Sequence, residues 1–205
     1  NNPPNALLVA PRTVGQVMKI TGINSNTVTI DRPLHYTYNL NLTVQVNRFQ
    51  MVEEVGFENF TIQNVNPGDK SNFGFVYCAN IWIKCVRSIK SVSCHVNLAM
   101  CANCTVRDSY FNDSFDFGNG GHGYGVAITT HTTDCLVENN IFDKNRHAML
   151  VQRGANGNVF GYNYSINATG DGNISIFNRI TDVSLHGHFN YMNLFEGNVM
   201  QEIHA

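Results

Sequence analysis

Two stretches of this chain gather side chains able to move protons or hold an anion. The first is Asn112-Asp-Ser-Phe-Asp-Phe-Gly-Asn-Gly-Gly-His-Gly-Tyr-Gly125, which sets Asp113, Asp116, His122 and Tyr124 among closely spaced glycines. The glycines permit left-handed backbone and close approach of a ligand or a second segment. The second is Asp143-Lys-Asn-Arg-His147, followed shortly by Gln152-Arg153. A neutral histidine can serve as a base, a tyrosine or second histidine as an acid, and lysine or arginine as a counter-charge to a carboxylate. That set suits removal of a proton beside a carboxylate, with protonation of a leaving oxygen. His122, Tyr124, His147, Arg146 and Arg153 are the candidates for the chemistry. His95, Lys144, Gln152 and Asp116 are the candidates for holding the substrate.

These groups are far apart in the chain, so something must bring them together, and a repeat does so. Asn103-Cys-Thr-Val-Arg-Asp-Ser-Tyr-Phe111 aligns without gaps on Asp134-Cys-Leu-Val-Glu-Asn-Asn-Ile-Phe142, and both align on Gly157-Asn-Val-Phe-Gly-Tyr-Asn-Tyr164. The same register reaches Asn59, Asn80 and Asn193. A unit this short cannot bury its own apolar side, so neighbouring units must stack. Alternation within the units points Ile62, Ile83, Val106, Val137 and Phe160 inward as one column. A second strand precedes each unit, at Phe73/Phe75, Val96/Leu98, Val126/Ile128 and Met149/Val151. The fold expected is all-β, a single-stranded right-handed parallel β-helix over 51–205, led in by an N-terminal β segment over 1–50. In that segment Asn24-Ser-Asn26 marks a hairpin turn. Tyr124 and His147 each lie ten residues before an aligned unit start, Asp134 and Gly157. The register therefore predicts them side by side on one exposed face, with His95 near the same edge one turn earlier.

Composition narrows the partners. With 13 basic and 15 acidic residues and no basic run, nucleic acid is not an expected partner. No apolar run approaches membrane-spanning length, so no membrane insertion is expected. Charged residues make up only 14%, whereas asparagine occurs 29 times, which suits short turns and stacked side-chain ladders. The six cysteines form no paired CxxC set; Cys104 and Cys135 share a repeat position and are expected as adjacent buried free thiols. Calcium would need several converging carboxylates or carbonyls. Asp113, Asp116 and Asp143 are candidates for it, but no spacing motif joins them, and the metal assignment stays open.

The Asn-x-x-Val repeat, Val137-Glu-Asn-Asn-Ile-Phe142 and Gly120-Gly-His-Gly-Tyr-Gly125 resemble the right-handed β-helix proteins of the pectate-lyase-like superfamily over roughly residues 50–200. The resemblance implies a secreted or surface protein acting on acidic polysaccharide, as a lyase or C5-epimerase that begins by proton abstraction. Gly121-His-Gly123 is also similar to an element of polygalacturonase-type hydrolases. Those need clustered aspartates and an Arg-x-Lys, where this chain has Asp113, Asp116 and Arg179-Ile-Thr181. Glycoside hydrolysis needs two carboxyls at a set separation, so that class is disfavoured. The competing expectation is a non-catalytic structural or adhesive β-helix that self-assembles end to end into a homo-oligomer.

Overall fold

The structure, a computed structural model, describes residues 13–68, 71–118, 120–172 and 180–205. Among these residues every regular element is a β-strand. Apart from an antiparallel hairpin, Ile20–Asn24 with Thr27–Ile30, all strands pair in parallel. Three sheets carry the chain. The first aligns Phe73–Val76, Cys94–Ala99, Tyr124–Thr129, His147–Gln152, Val183–His186 and Ile203–His204. The second aligns Gly56–Glu58, Trp82–Lys84, Thr105–Arg107, Leu136–Glu138, Val159–Gly161 and Leu194–Glu196. The third aligns Thr61–Gln63, Arg87–Ser91, Tyr110–Ser114, Ile141–Asp143 and Tyr164–Ile166. Each circuit of chain thus lays one strand in each sheet and pairs it with the next circuit, an arrangement compatible with a β-solenoid.

The apolar interior lies between the sheets. In the second sheet Phe57, Ile83, Val106, Val137, Phe160 and Phe195 stand in register. The expected column therefore holds from Ile83 onward, but its first member is Phe57. Ile62 belongs to the third sheet, in register with Ser88, Phe111, Phe142 and Ser165. The error is a slip of five residues, and it has a structural cause. Left-handed corners fall at Glu54, Asn80, Asn103, Asp134 and Gly157, and again five residues later at Asn59, Cys85, Asp108, Asn139 and Tyr162. A slip from one corner to the next reproduces the same local pattern on the adjacent sheet.

A left-handed conformation at a residue other than glycine costs on the order of 1 kcal/mol. Side-chain ladders offset that cost. The residue after each corner turns inward, and where it is polar it bonds the backbone of the neighbouring circuit. The amide nitrogens of Ser109, Asn140 and Asn163 donate to the Oδ1 atoms of Asn140, Asn163 and Asn198 at 3.0, 3.1 and 2.9 Å. The Nδ2 groups of Asn140, Asn163 and Asn198 donate to the carbonyls of Val106, Val137 and Phe160 at 2.9, 2.9 and 2.7 Å. At the other corner Asn158 and Asn193 do the same, and Cys135 takes the asparagine's place, its Sγ 3.4 Å from the Cys104 amide. Cys104 and Cys135 are adjacent, buried and free, as expected from their shared position.

Residues 13–35 lie along one edge of this stack. His131 Nε2–H donates to the Thr13 carbonyl at 2.9 Å, and its ring fits where a side chain on Gly15 or Gly154 would stand. Val17 N–H donates to Thr133 Oγ1 at 3.0 Å, His35 Nδ1 meets Asn156 Oδ1 at 2.8 Å, and Arg32 bridges Asp31 and Asp134.

Candidate functional site

The candidate residues meet at the edge where the third sheet returns to the first. Connections along that edge alternate in length: long between Ser114 and Tyr124 and between Ile166 and Val183, short between Asp143 and His147. Arg146 occupies the short one and is held by both long ones. Its backbone N–H donates to Gly123 O at 2.7 Å and its Nη1 donates to Gly118 O at 2.6 Å. Its own carbonyl accepts from Thr181 N–H at 3.2 Å. The Arg146 side chain is buried, with its guanidinium carbon 5.9 Å from the centre of the Tyr124 ring. Gly123, at φ +72°, makes this approach possible, because a Cβ there would lie 3.2 Å from Arg146 Cβ.

Tyr124 pairs with His147 in the parallel ladder, as the repeat register predicts, and their ring centres are 5.0 Å apart. Both side chains project from the outward side of the first sheet, beside buried Ala127 and Leu150. The face is far less open than expected. His147 keeps only 7% of its surface, Tyr124 is half-buried, and Arg146 lies across the tyrosine.

His147 Nδ1 lies 3.0 Å from both the carbonyl and the hydroxyl of Thr181. Donation from Nδ1–H to that carbonyl fixes the tautomer and leaves Nε2 as the unprotonated nitrogen. Burial, and then the charges of Arg146, His186 and His204, push His147 down to about 4, against a backbone bond that works the other way. Burial raises the Tyr124 phenol above its ordinary value, so it stays protonated.

His95 is not at this edge. In the ladder the partner of Tyr124 is Cys94, and the next two residues, His95 and Val96, both face the interior, where His95 packs against Phe111. His95 therefore points inward and is fully buried, so it cannot touch a bound substrate. A chain of hydrogen bonds holds it there. Asn72 Nδ2 donates to Ser88 Oγ at 2.9 Å, and Ser88 Oγ–H donates to His95 Nδ1 at 2.8 Å. His95 Nε2–H then donates to Asp113 O at 3.0 Å. Gly125 leaves space in the same layer, since a Cβ there would lie 2.3 Å from Ala148 O and 2.6 Å from the Phe142 ring.

The remaining candidates spread around the edge. His122 Nδ1 approaches Asp116 Oδ2 to 2.6 Å, at an angle unsuited to a hydrogen bond, while Asp116 Oδ1 accepts from Gly118 N–H at 2.7 Å. Asp116 thus braces the glycine-rich loop. Lys144 is exposed on a left-handed corner, and Arg153 is exposed on another, next to half-buried Gln152. Asp143 is engaged by Tyr110, Asn112 and Asn167. Among the described residues no three His, Cys, Asp or Glu side chains converge to hold a metal ion. Arg179 lies outside the described residues.

Three residues at this face escape sequence reasoning: Thr181, His186 and His204. His186 pairs with Gln152 and His204 with Ser184, both on the outward side. The signal existed in the ladder, because Val183 aligns with Met149. The long connection before Val183 hides it from a gapless alignment. No family model matches the chain, and comparison with curated proteins and with solved structures gives no match either.

Proposed function

We propose that this chain is a single right-handed parallel β-helix of the pectate-lyase-like kind, secreted or displayed at a cell surface, that acts on an acidic polysaccharide as a lyase or C5-epimerase. The observation that carries the reading is the Tyr124–His147 pair, with its rings 5.0 Å apart and Arg146 behind it. His147 Nε2 takes the proton beside the uronate carboxylate. Arg146 and Arg153 stabilise the negative charge that grows on that carboxylate. Tyr124, kept protonated, gives its proton to the leaving oxygen in a lyase, or to the opposite face of the carbanion in an epimerase. A carboxylate bound beside His147 raises the affinity of the ring for a proton and strengthens it as a base.

The test is incubation with polygalacturonate, alginate and glycosaminoglycans in heavy water. Ultraviolet absorbance reports an unsaturated uronate, and NMR reports deuterium at C5. Product or exchange with the parent chain, and neither with His147→Ala under conditions where circular dichroism shows the variant folded, is the expected result. Absence of both signals with every uronate polymer refutes the reading.

A second reading, a structural or adhesive module that assembles into a homo-oligomer, end to end or otherwise, is favoured by the exposed apolar side chains Ile141 and Tyr164, register neighbours on the outward side of the third sheet. Sedimentation that depends on concentration, and is abolished by Ile141→Lys, distinguishes it.

A further inference from the structure

The outward side of the first sheet continues past His147 to groups that the proposed reaction does not use. His204 stands beside Ser184 and His186 beside Gln152, so the two histidines are diagonal neighbours on adjacent strands, and both are exposed. Arg153 follows Gln152 directly, and a Cβ on Gly187 would lie 3.9 Å from its backbone nitrogen. Buried Leu150 and Ser184 form a small floor between these groups and His147.

The electrostatics around His186 are one-sided. The charged groups acting most strongly on His186 are Arg146, Arg153 and His204, and those acting most strongly on His147 are Arg146, His186 and His204. All of them are bases. Of the two carboxylates close by in sequence, Asp182 is fully buried, accepting from Ser165 Oγ–H and from the Gln201 and Glu202 amides. Glu202, two residues before His204, is exposed, and its backbone carbonyl accepts from the Asp182 and Val183 amides. Arg153, His186 and His204 thus gather on the outward side of one sheet, where an anion offsets their positive charge, while the carboxylates of Asp116 and Asp171 lie beside Gly118.

We infer that His186, His204 and Arg153 form a second carboxylate subsite, which holds the acidic sugar next to the one acted on at His147. The inference rests on the reading of this face as a polyuronate site, and it narrows the substrate to polymers that carry carboxylates on adjacent sugars. Binding then strengthens as His186 gains a proton. His186 is held below its ordinary value by burial first, and then by Arg146, Arg153 and His204. A bound carboxylate works in the opposite direction, so ligand and proton assist each other.

The experiment is calorimetric titration of an oligogalacturonate, with a neutral glucan oligosaccharide of equal length as the control. It is run at about pH 5.5 and about pH 7.5, on either side of an ordinary histidine pKa. The double variant His186→Gln/His204→Gln, checked for an unchanged melting temperature, is expected to bind about tenfold more weakly at the lower pH and less than about twofold more weakly at the higher. His147→Ala is expected to bind normally and to lose turnover. Equal affinity of the double variant and the parent at both pH values overturns the subsite, even where His147→Ala removes turnover. Equal affinity for the neutral glucan also overturns it. Histidine-dependent binding with no product from any uronate supports the subsite and overturns the catalytic reading alone.

Discussion

His95 makes the fold itself sensitive to acid. Its ring is fully buried, with Ser88 donating to Nδ1 and Nε2–H donating to Asp113 O, an arrangement complete only for the neutral form. Burial lowers it from 6.5 to about 3. Between those values the unfolded chain takes up a proton that the folded chain refuses, so stability falls as pH falls. The refused proton is worth roughly 5 kcal/mol, lost between about pH 6.5 and pH 3. That is comparable to the whole stability of many domains. Urea unfolding followed by circular dichroism in steps from neutral to acid measures the slope. His95→Gln keeps one donor toward Asp113 and one acceptor toward Ser88 but cannot ionise. It should cost about 1–2 kcal/mol at neutral pH through poorer packing against Phe111, yet lose most of the acid slope. Parallel pH profiles for the parent and His95→Gln, or an NMR titration of His95 near its ordinary value, would refute the argument.

Other perturbations have equally definite outcomes. Asn163→Ala removes the acceptor for the Asn140 amide and the donor to Val137 O inside the stack, and should lower unfolding free energy by about 3–5 kcal/mol in urea titration. Gly125→Ala places a methyl group against Ala148 O and the Phe142 ring and should cost about 3 kcal/mol by the same measurement; a cost under about 0.5 kcal/mol would contradict the close packing. Of the six cysteines only Cys85 is exposed, so iodoacetamide on the native chain should add one group, found at Cys85 by peptide mass. With His147 held down to about 4, turnover of a uronate polymer, measured as kcat/KM, should persist through mildly acidic pH and fall as pH drops through about 4; a loss centred near 6.5 would point to a different base.

Much of the fold is legible in the chain, because Ile83, Val106, Val137 and Phe160 repeat at one position and the strands between them alternate. The register also places Tyr124 beside His147. One failure comes from the near-identity of successive five-residue sides. It carries Asn59 and Ile62 onto the wrong sheet, since a slip of one side leaves every inward position inward. A slip of one residue has the opposite effect, and it moves His95 from the expected edge to the interior. Burial of His147 is not legible, because it depends on connections whose paths the repeat does not specify. Nor is the pairing of His186 and His204, which follows the longest interruption of the pattern.

The alternating connections beside Arg146 divide the molecule into a part that resists change and a part that accepts it. An extra residue within a side would turn the following inward groups toward solvent and break the asparagine ladders in both neighbouring circuits. An extra residue between Ser114 and Tyr124 disturbs neither, because the strands on both sides stay paired with their neighbours. Variation in length is therefore confined to the rim around Tyr124 and His147. Descendants of such a chain can exchange what they recognise by lengthening or shortening that rim, while the stacked scaffold beneath is inherited unaltered.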